Sequence, residues 1–468
     1  MGERRRRKDS DAGERPVRAG DTLEVSVERV VPGGAGLAHA PGLTVFVPLA
    51  AVGDRLRVRV ESVRGRALFA SVVEVLEPST VRVEPPCPYF GRCGGCDFQQ
   101  INYAAQLRAK VEIIRDCLRR IGRLTPPEEI PIMQSPDQWH YRSRARWQHD
   151  AVRHRLGYYE LSSHRVCDVA ECPVVLPEVQ DALSRLRASR VGARDDVKRE
   201  ATPTTGESNR EAASTAGRSP SAAVERSETS VAEEFQAVAG DDGVSLLPPL
   251  DEEDARERRR RVAGETYRFN AECFFQINHS LLDALVAEAL RGTGGGGTEG
   301  SGTEGSGTES ADREGVGSQG GGTAVDLYCG VGLFTLPLAR RFSRVAAVES
   351  HPVAARYARL NLEEAGLSNA RVETAEVGDW LLRRAARVAP AEFVLLDPPR
   401  AGAAEAVEGI LNLQPRRITY VSCDPATLAR DLRSLADGGY ALDTLRAFDM
   451  FPQTHHVETV AHLSRAAG

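Results

Sequence analysis

The chain has no apolar run approaching the ~20 residues needed to cross a bilayer. Its first residues, "MGERRRRKDS", lack the apolar core of a signal peptide. Neither a membrane span nor a secretory route is expected, and the chain is expected in the cytoplasm. Cysteine is too sparse for a disulfide scaffold: there are nine in 468 residues, in a chain long enough to build more than one core. Those thiols are left for metal, catalysis or packing, and their spacing must decide which. The net charge is only −6, yet this excludes no polyanionic partner, because a local basic face suffices. The "ERRRRK" arm is one such stretch, although a solvated tail has the same composition.

What is present divides the chain by pattern. Residues 1–17 are the basic arm. Residues 18–80 alternate apolar and polar in "TLEVSVERV", "LTVFVPLA", "DRLRVRVESV" and "ALFASVVEVLE", which predicts a small antiparallel β barrel of OB-like kind. Such barrels often bind nucleic acid, and a plain structural barrel reads the same way. Residues 81–190 hold a cysteine-rich turn, a helical run "YAAQLRAKVEIIRDCLRRIG" and the basic, aromatic-bearing "YRSRARW". Residues 191–260 are rich in Ser, Thr, Ala, Glu and Arg and are expected to be disordered. Residues 261–291 return to order, and 292–322 have the composition of a Gly-rich linker. From 323 to 468, apolar strands alternate with helices, which predicts a doubly wound α/β sheet with ligands at the strands' carboxyl ends. Asp326, Glu349, Asp397 and Cys423 all fall at or near such ends.

"DLYCGVGLF" runs strand, Gly330-x-Gly332, helix. The glycines allow close backbone approach of a ligand, and the helix N-terminus favours negative charge. Glu349 ends the next strand, where an acid can hold ribose hydroxyls. Thr335 stands where a dinucleotide fingerprint has Gly or Ala, so S-adenosylmethionine fits better than NAD. A structural turn with a surface Glu is the alternative. "LLDPPRAG" carries Asp397 into a stiff Pro-Pro turn.

Cys87, Cys93 and Cys96 form C-x5-C-x2-C. Cys172 is the candidate fourth ligand and Cys167 its rival. Four thiolates suit zinc or an iron–sulfur cluster, and spacing barely separates them. Cys117, Cys273 and Cys329 read as packing. In "VSCDPATLARDL", Cys423 is a small buried hydrophobe or a nucleophile. Asp424 reads as the cap of the helix that follows, and that helix N-terminus is expected to lower the thiol pKa.

In order, "CPYFGRCGGC" with "CPVV", "FFQIN", "DLYCGVGLF", "LDPPRAG", "VSCDPATLARDL" and "DMFPQTHHVETV" span nearly the whole chain outside the two low-complexity stretches. As a set they resemble the RNA 5-methyluridine methyltransferase family. The resemblance implies a TRAM barrel, a 4Fe–4S iron–sulfur cluster and a Rossmann-like class I methyltransferase domain. It implies Cys423 as nucleophile and Glu458 as proton-abstracting base. Gln276, Tyr328, Glu349, Glu376 and Asp397 would contact S-adenosylmethionine, and Cys87, Cys93, Cys96 and Cys172 would hold the cluster. The implied partner is an RNA, ribosomal rather than transfer, with no membrane and a monomeric enzyme. The chemistry suits the residues: carbon 5 of uracil is a poor nucleophile until a thiolate adds to carbon 6. The contrasting expectation is a non-catalytic, metal-containing RNA-binding protein with a vestigial α/β half.

Overall fold

The computed structural model describes residues 17–192, 232–293 and 320–465. The basic arm, most of the stretch expected to be disordered and most of the Gly-rich linker lie outside them. Among the described residues no helix is long and apolar enough to cross a membrane.

Strands β1 (Thr22–Val30), β2 (Gly36–Ala40), β3 (Leu43–Val47), β4 (Arg55–Arg64) and β5 (Ala67–Glu77) close a barrel in the order β1-β2-β3-β5-β4. Alternation places Val25, Val27, Val45, Val47, Leu56, Val58, Val60 and Leu68 inside. The barrel is not wholly antiparallel, because β3 and β5 run parallel. Closure has to join strands that are not consecutive, and this ladder supplies the seam.

Helix α1 (Tyr103–Cys117) follows, capped by Asn102, whose side chain accepts from the N–H of Ala105 at 3.0 Å. Beyond it come β6 (Ile132–Met133), β7 (Arg144–Asp150), β8 (Arg155–Tyr159), β9 (Val166–Asp168) and α2 (Pro177–Arg190). Then come β10 (Glu233–Gly240), β11 (Gly243–Leu247), β12 (Arg258–Val262), β13 (Glu265–Phe269) and α3 (Leu282–Ala289).

Here the expectation for residues 191–260 is corrected. β10 is the second strand of the sheet β11-β10-β7-β8-β9, pairing β7 on one side and β11 on the other. Phe235, Ala237 and Leu246 enter the core beneath α2. In β12, Arg258 and Arg260 are buried while Arg259 and Arg261 are exposed. The buried pair is tolerated because their guanidinium groups find carbonyl partners: Arg258 donates to Val244 at 2.9 Å and Arg260 to Ala239 at 2.8 Å.

The remaining elements are β14 (Gly320–Leu327), α4 (Thr335–Arg341), β15 (Phe342–Glu349), α5 (Pro352–Glu364), β16 (Ala370–Thr374) and α6 (Val377–Val388). β17 (Phe393–Leu396), α7 (Val407–Asn412), β18 (Arg417–Ser422), α8 (Pro425–Asp437), β19 (Tyr440–Phe448) and β20 (Glu458–Arg465) complete the chain. The sheet order is β16-β15-β14-β17-β18-β20-β19-β6. The strands from β16 to β18 are parallel, and β20 runs antiparallel to both β18 and β19. β6, from the middle of the chain, adds to the edge beside β19 and ties the central region to this sheet. The order reverses between β14 and β17, which opens a crevice beyond Leu327 and Leu396.

The gaps in the described residues start and end at neighbouring points. Arg190 at the end of α2 lies 3.7 Å from Glu233 at the start of β10. Thr293 accepts from Arg341 at 2.8 Å, and Gly320 pairs with the adjacent Phe342.

Candidate active site

The glycine loop is shaped by backbone conformation. Tyr328, Gly330 and Gly332 have φ of 64°, 56° and 94°. A side chain at Gly332 would meet Leu336 at 3.1 Å besides being strained, so glycine is required there. Glu349 braces the loop: its carboxylate accepts from the N–H of Gly330 at 2.8 Å and of His351 at 2.7 Å. Thr335 is buried and its hydroxyl donates to Asp326. That bond explains a threonine where a dinucleotide fingerprint has a smaller residue. Burial pushes the Asp326 carboxyl up to about 7, against the Thr335 hydrogen bond and with nearby Asp397 and Glu349 adding to the rise. Tyr328 and Glu376 line one open cleft with Asp379, Pro399 and Arg430. Tyr328 and Glu376 thus share one cleft, while Gln276 is joined to Asp397 by a 3.2 Å hydrogen bond and Glu349 braces the glycine loop.

Beside the crevice, β18 and β20 set the reacting centre. Ser422 pairs with Thr459 in antiparallel register, so the next facing positions are Cys423 and Glu458. Glu458 is buried and one of its oxygens, Oε1, has no hydrogen-bond partner; the Oε1 of Gln276 is in the same state. Burial raises the Glu458 carboxyl well above its ordinary value, Asp397 adding to this and Arg400 opposing it. Asp397 itself is pushed up to about 7 by burial. Glu458 and Asp397 are thus neighbouring buried acids, and Arg400 is the positive charge that opposes the rise of Glu458.

The thiol does not behave as the sequence suggests. Cys423 is pushed up to about 12 by burial first, then by Glu458 and Asp397. The Asp424 carboxylate at the start of α8 adds to the rise. Asp424 caps α8, accepting from Ala426 and Thr427 at 2.9 Å each. The cap is as expected; the low thiol pKa is not.

The four expected cluster cysteines come together from distant positions. Cys87, Cys93, Cys96 and Cys172 line a single small pocket with Gln99, Arg142 and Tyr158. The Tyr158 hydroxyl lies 3.8 Å from the sulfur of Cys172. Burial pushes Cys93 and Cys96 up to about 12, with neighbouring thiols adding to the rise in both. Cys167 is fully buried on β9 opposite Tyr158 and does not line the pocket. Among the described residues no three Cys, His, Asp or Glu side chains group closely enough for a single metal ion. Cys117, Cys273 and Cys329 are buried in the cores, as expected.

Tyr141 and Trp147 are fully buried, so their rings cannot stack on a base; Arg146 remains exposed. Two exposed residues carry no role assigned from the sequence. Arg400, exposed just after the Pro-Pro turn, opposes the rise of both Glu458 and Cys423. Phe274, 57% exposed and two residues before Gln276, has the Arg144 guanidinium 5.7 Å from its ring centre. Both lie inside motifs read from the sequence, but only the fold shows where they face.

A model of the tRNA (uracil-5-)-methyltransferase family matches residues 315–466, and a TRAM-domain model matches residues 16–73. A 23S rRNA (uracil(1939)-C(5))-methyltransferase of Thiobacillus denitrificans is 31% identical over 463 residues, covering 92% of this chain and 97% of its own. The chain belongs to the RNA (uracil-5-)-methyltransferase family. An RNA methyltransferase of Streptomyces avermitilis is 34% identical to this enzyme, across 96% of this chain and 99% of its own. Among solved structures, the Pyrococcus abyssi tRNA (uracil-54, C5)-methyltransferase, solved with S-adenosyl-L-homocysteine, superposes with a TM-score of 0.60 at 24% identity. That match covers 94% of this chain and all of the other. The enzyme thus has a class I methyltransferase fold preceded by a TRAM barrel.

Proposed function

We propose that the enzyme methylates carbon 5 of one uridine in 23S ribosomal RNA, using S-adenosylmethionine, in the cytoplasm. The observation that carries this reading is the β18–β20 register that sets Cys423 opposite Glu458 beside the crevice. The ribosomal target is favoured by relatives named as 23S rRNA enzymes, in Thiobacillus denitrificans and Pectobacterium atrosepticum, each 31% identical over more than nine-tenths of this chain.

When bound, S-adenosylmethionine supplies an electrophilic methyl group and a positive charge that offsets the surrounding carboxylates. Cys423 adds as the thiolate to carbon 6 of the uracil, and the carbon 5–carbon 6 electron pair moves to make carbon 5 nucleophilic. Carbon 5 takes the methyl group and still carries its hydrogen. Glu458 removes that proton; the C–H electrons rebuild the double bond and expel the Cys423 thiolate. Tyr328, Glu376 and Asp397 hold the cofactor, with Gln276 orienting Asp397 and Glu349 fixing the glycine loop. The target base has to leave its stack to reach Cys423. The barrel, Arg146 and Arg400 supply positive charge for phosphates.

The cysteine pocket is where an iron–sulfur cluster would sit, because four thiols from distant positions surround one space there. Bound there, a cluster would tie the turn at Cys87–Cys96 to Cys172.

The constellation of Cys423, Glu458 and Asp397 argues against a non-catalytic binding protein. The test is to map 5-methyluridine in 23S rRNA from a deletion strain. Loss of one modified uridine, restored by the wild-type enzyme and not by Cys423→Ser, is expected. Unchanged 23S rRNA with loss of a transfer RNA modification would overturn the ribosomal target.

A further inference from the structure

Glu458 is the first residue of β20, and the segment that delivers it, 449–457, has no regular secondary structure. Such a segment should wander, yet it is buried and tied down. Lys110 of α1 forms a fully buried ion pair with Asp449 and donates to the carbonyl of Phe451 at 3.0 Å. Tyr141 donates to the carbonyl of Pro452 at 2.9 Å.

Four further ties converge on Gln453. Its backbone sits at φ 68°, which a non-glycine residue adopts only when its surroundings impose it. Its N–H donates to Oε1 of Gln106 at 3.0 Å, and its side-chain Oε1 accepts from Nε2 of Gln106 at 2.9 Å. Its carbonyl accepts from the N–H groups of Phe98 at 3.0 Å and Asp97 at 3.2 Å, directly after Cys96. Gln106 and Gln453 are both buried. The pair is therefore a reciprocal amide clamp, 347 residues apart in sequence, joining α1, the cysteine-rich turn and the segment leading to Glu458.

We infer that Gln106 and Gln453 are positioning residues for the proton-abstraction step, holding Glu458 against carbon 5 of the adduct. This rests on the assignment of Glu458 as the base. Neither amide faces the crevice, and neither belongs to the elements that carry Cys423 or the cofactor residues. Their effect should therefore fall on release of the product rather than on adduct formation. A shift on the order of 1 Å in a reacting group costs about 10²-fold in rate.

The experiment uses the full-length enzyme with Gln106→Leu and Gln453→Gly. Leucine fills the same space without the amide, and glycine keeps the positive φ and the carbonyl bonds while removing the side chain. Three quantities are measured: cofactor affinity, the rate of covalent adduct formation with 5-fluorouridine RNA, and single-turnover release of methylated RNA from the normal substrate. A fluorine at carbon 5 offers no proton to remove, so the second quantity isolates steps before the base acts.

Unchanged affinity and adduct formation, with release slowed about tenfold to 10²-fold and methylated adduct accumulating, is the expected result. Release at the wild-type rate, or equal slowing of adduct formation and release, would overturn the inference. Glu458→Gln in the same assay separates the two assignments. If it fails to accumulate adduct, the base assignment falls. If it accumulates adduct while Gln106→Leu and Gln453→Gly release normally, only the clamp falls.

Discussion

Cys423 directly follows the last residue of β18 and Glu458 is the first residue of β20, just beyond the Ser422–Thr459 pair that ends the antiparallel ladder between those strands. Strand register is all or nothing. A slip of one residue would turn the Glu458 side chain to the other face of the sheet. A nucleophile and a base that act at adjacent ring atoms are thus fixed by one ladder.

Replacing Cys423 with serine removes the sulfur that adds to carbon 6. Methylation should fall to background, on the order of the 10⁶-fold losses seen when an enzyme nucleophile is deleted. Cofactor affinity by calorimetry should not change, because Cys423 lies outside the cleft lined by Tyr328 and Glu376. Measurable turnover in this variant would remove Cys423 from the mechanism.

Glu458→Gln keeps the shape of the side chain and loses the base. Adduct should form and then stall, so a methylated protein–RNA species should survive denaturing electrophoresis. Product release at the wild-type rate would assign proton removal elsewhere.

Cofactor affinity should rise with pH. Burial pushes Asp326 and Asp397 up to about 7, so below neutrality these two carboxyls hold protons. A cationic ligand favours their ionised forms, and protons leave as it binds. Affinity should therefore fall as pH drops below 7, by about tenfold per unit for each linked proton, and level off above it. Calorimetry in buffers of different ionisation enthalpy would register the released protons. A flat profile from pH 5 to 9 would contradict the coupling.

Cys172→Ala and Cys167→Ala should part company. Purified without oxygen, the first should lose iron and its visible charge-transfer absorption, while the second keeps both. Equal loss in both would return Cys167 to the ligand set.

Lys110→Met leaves the Asp449 charge buried without its partner. Urea denaturation should show a loss of about 3–5 kcal/mol, the usual cost of breaking a buried pair from one side. A loss below ~1 kcal/mol would mean that water reaches Asp449.

Much of this was legible before any coordinates. Strict alternation marked the barrel, and continuous apolar runs marked the parallel strands, because each pattern is set by what the strand buries. The motif residues could be placed because they end strands. β10 was missed for the opposite reason: its partner β7 lies some eighty residues earlier, and its flanks dilute a short alternation in polar composition. Arg258 and Arg260 misled for a related cause, since four successive arginines look solvated until two of them find buried carbonyls. The Cys423 pKa was misjudged because sequence shows a helix N-terminus but not the neighbouring carboxylates. Gln106 gave no signal at all, since a clamp across 347 residues leaves no local pattern.

The nearness of Arg190 to Glu233, and of Thr293 to Phe342 through Arg341, makes both interruptions thermodynamically cheap to resize. Where a loop leaves and returns at one point, each doubling of its length costs only about 0.6 kcal/mol in closure entropy. These two doorways are therefore where a reporter protein or an affinity handle could be grafted without disturbing the catalytic sheet.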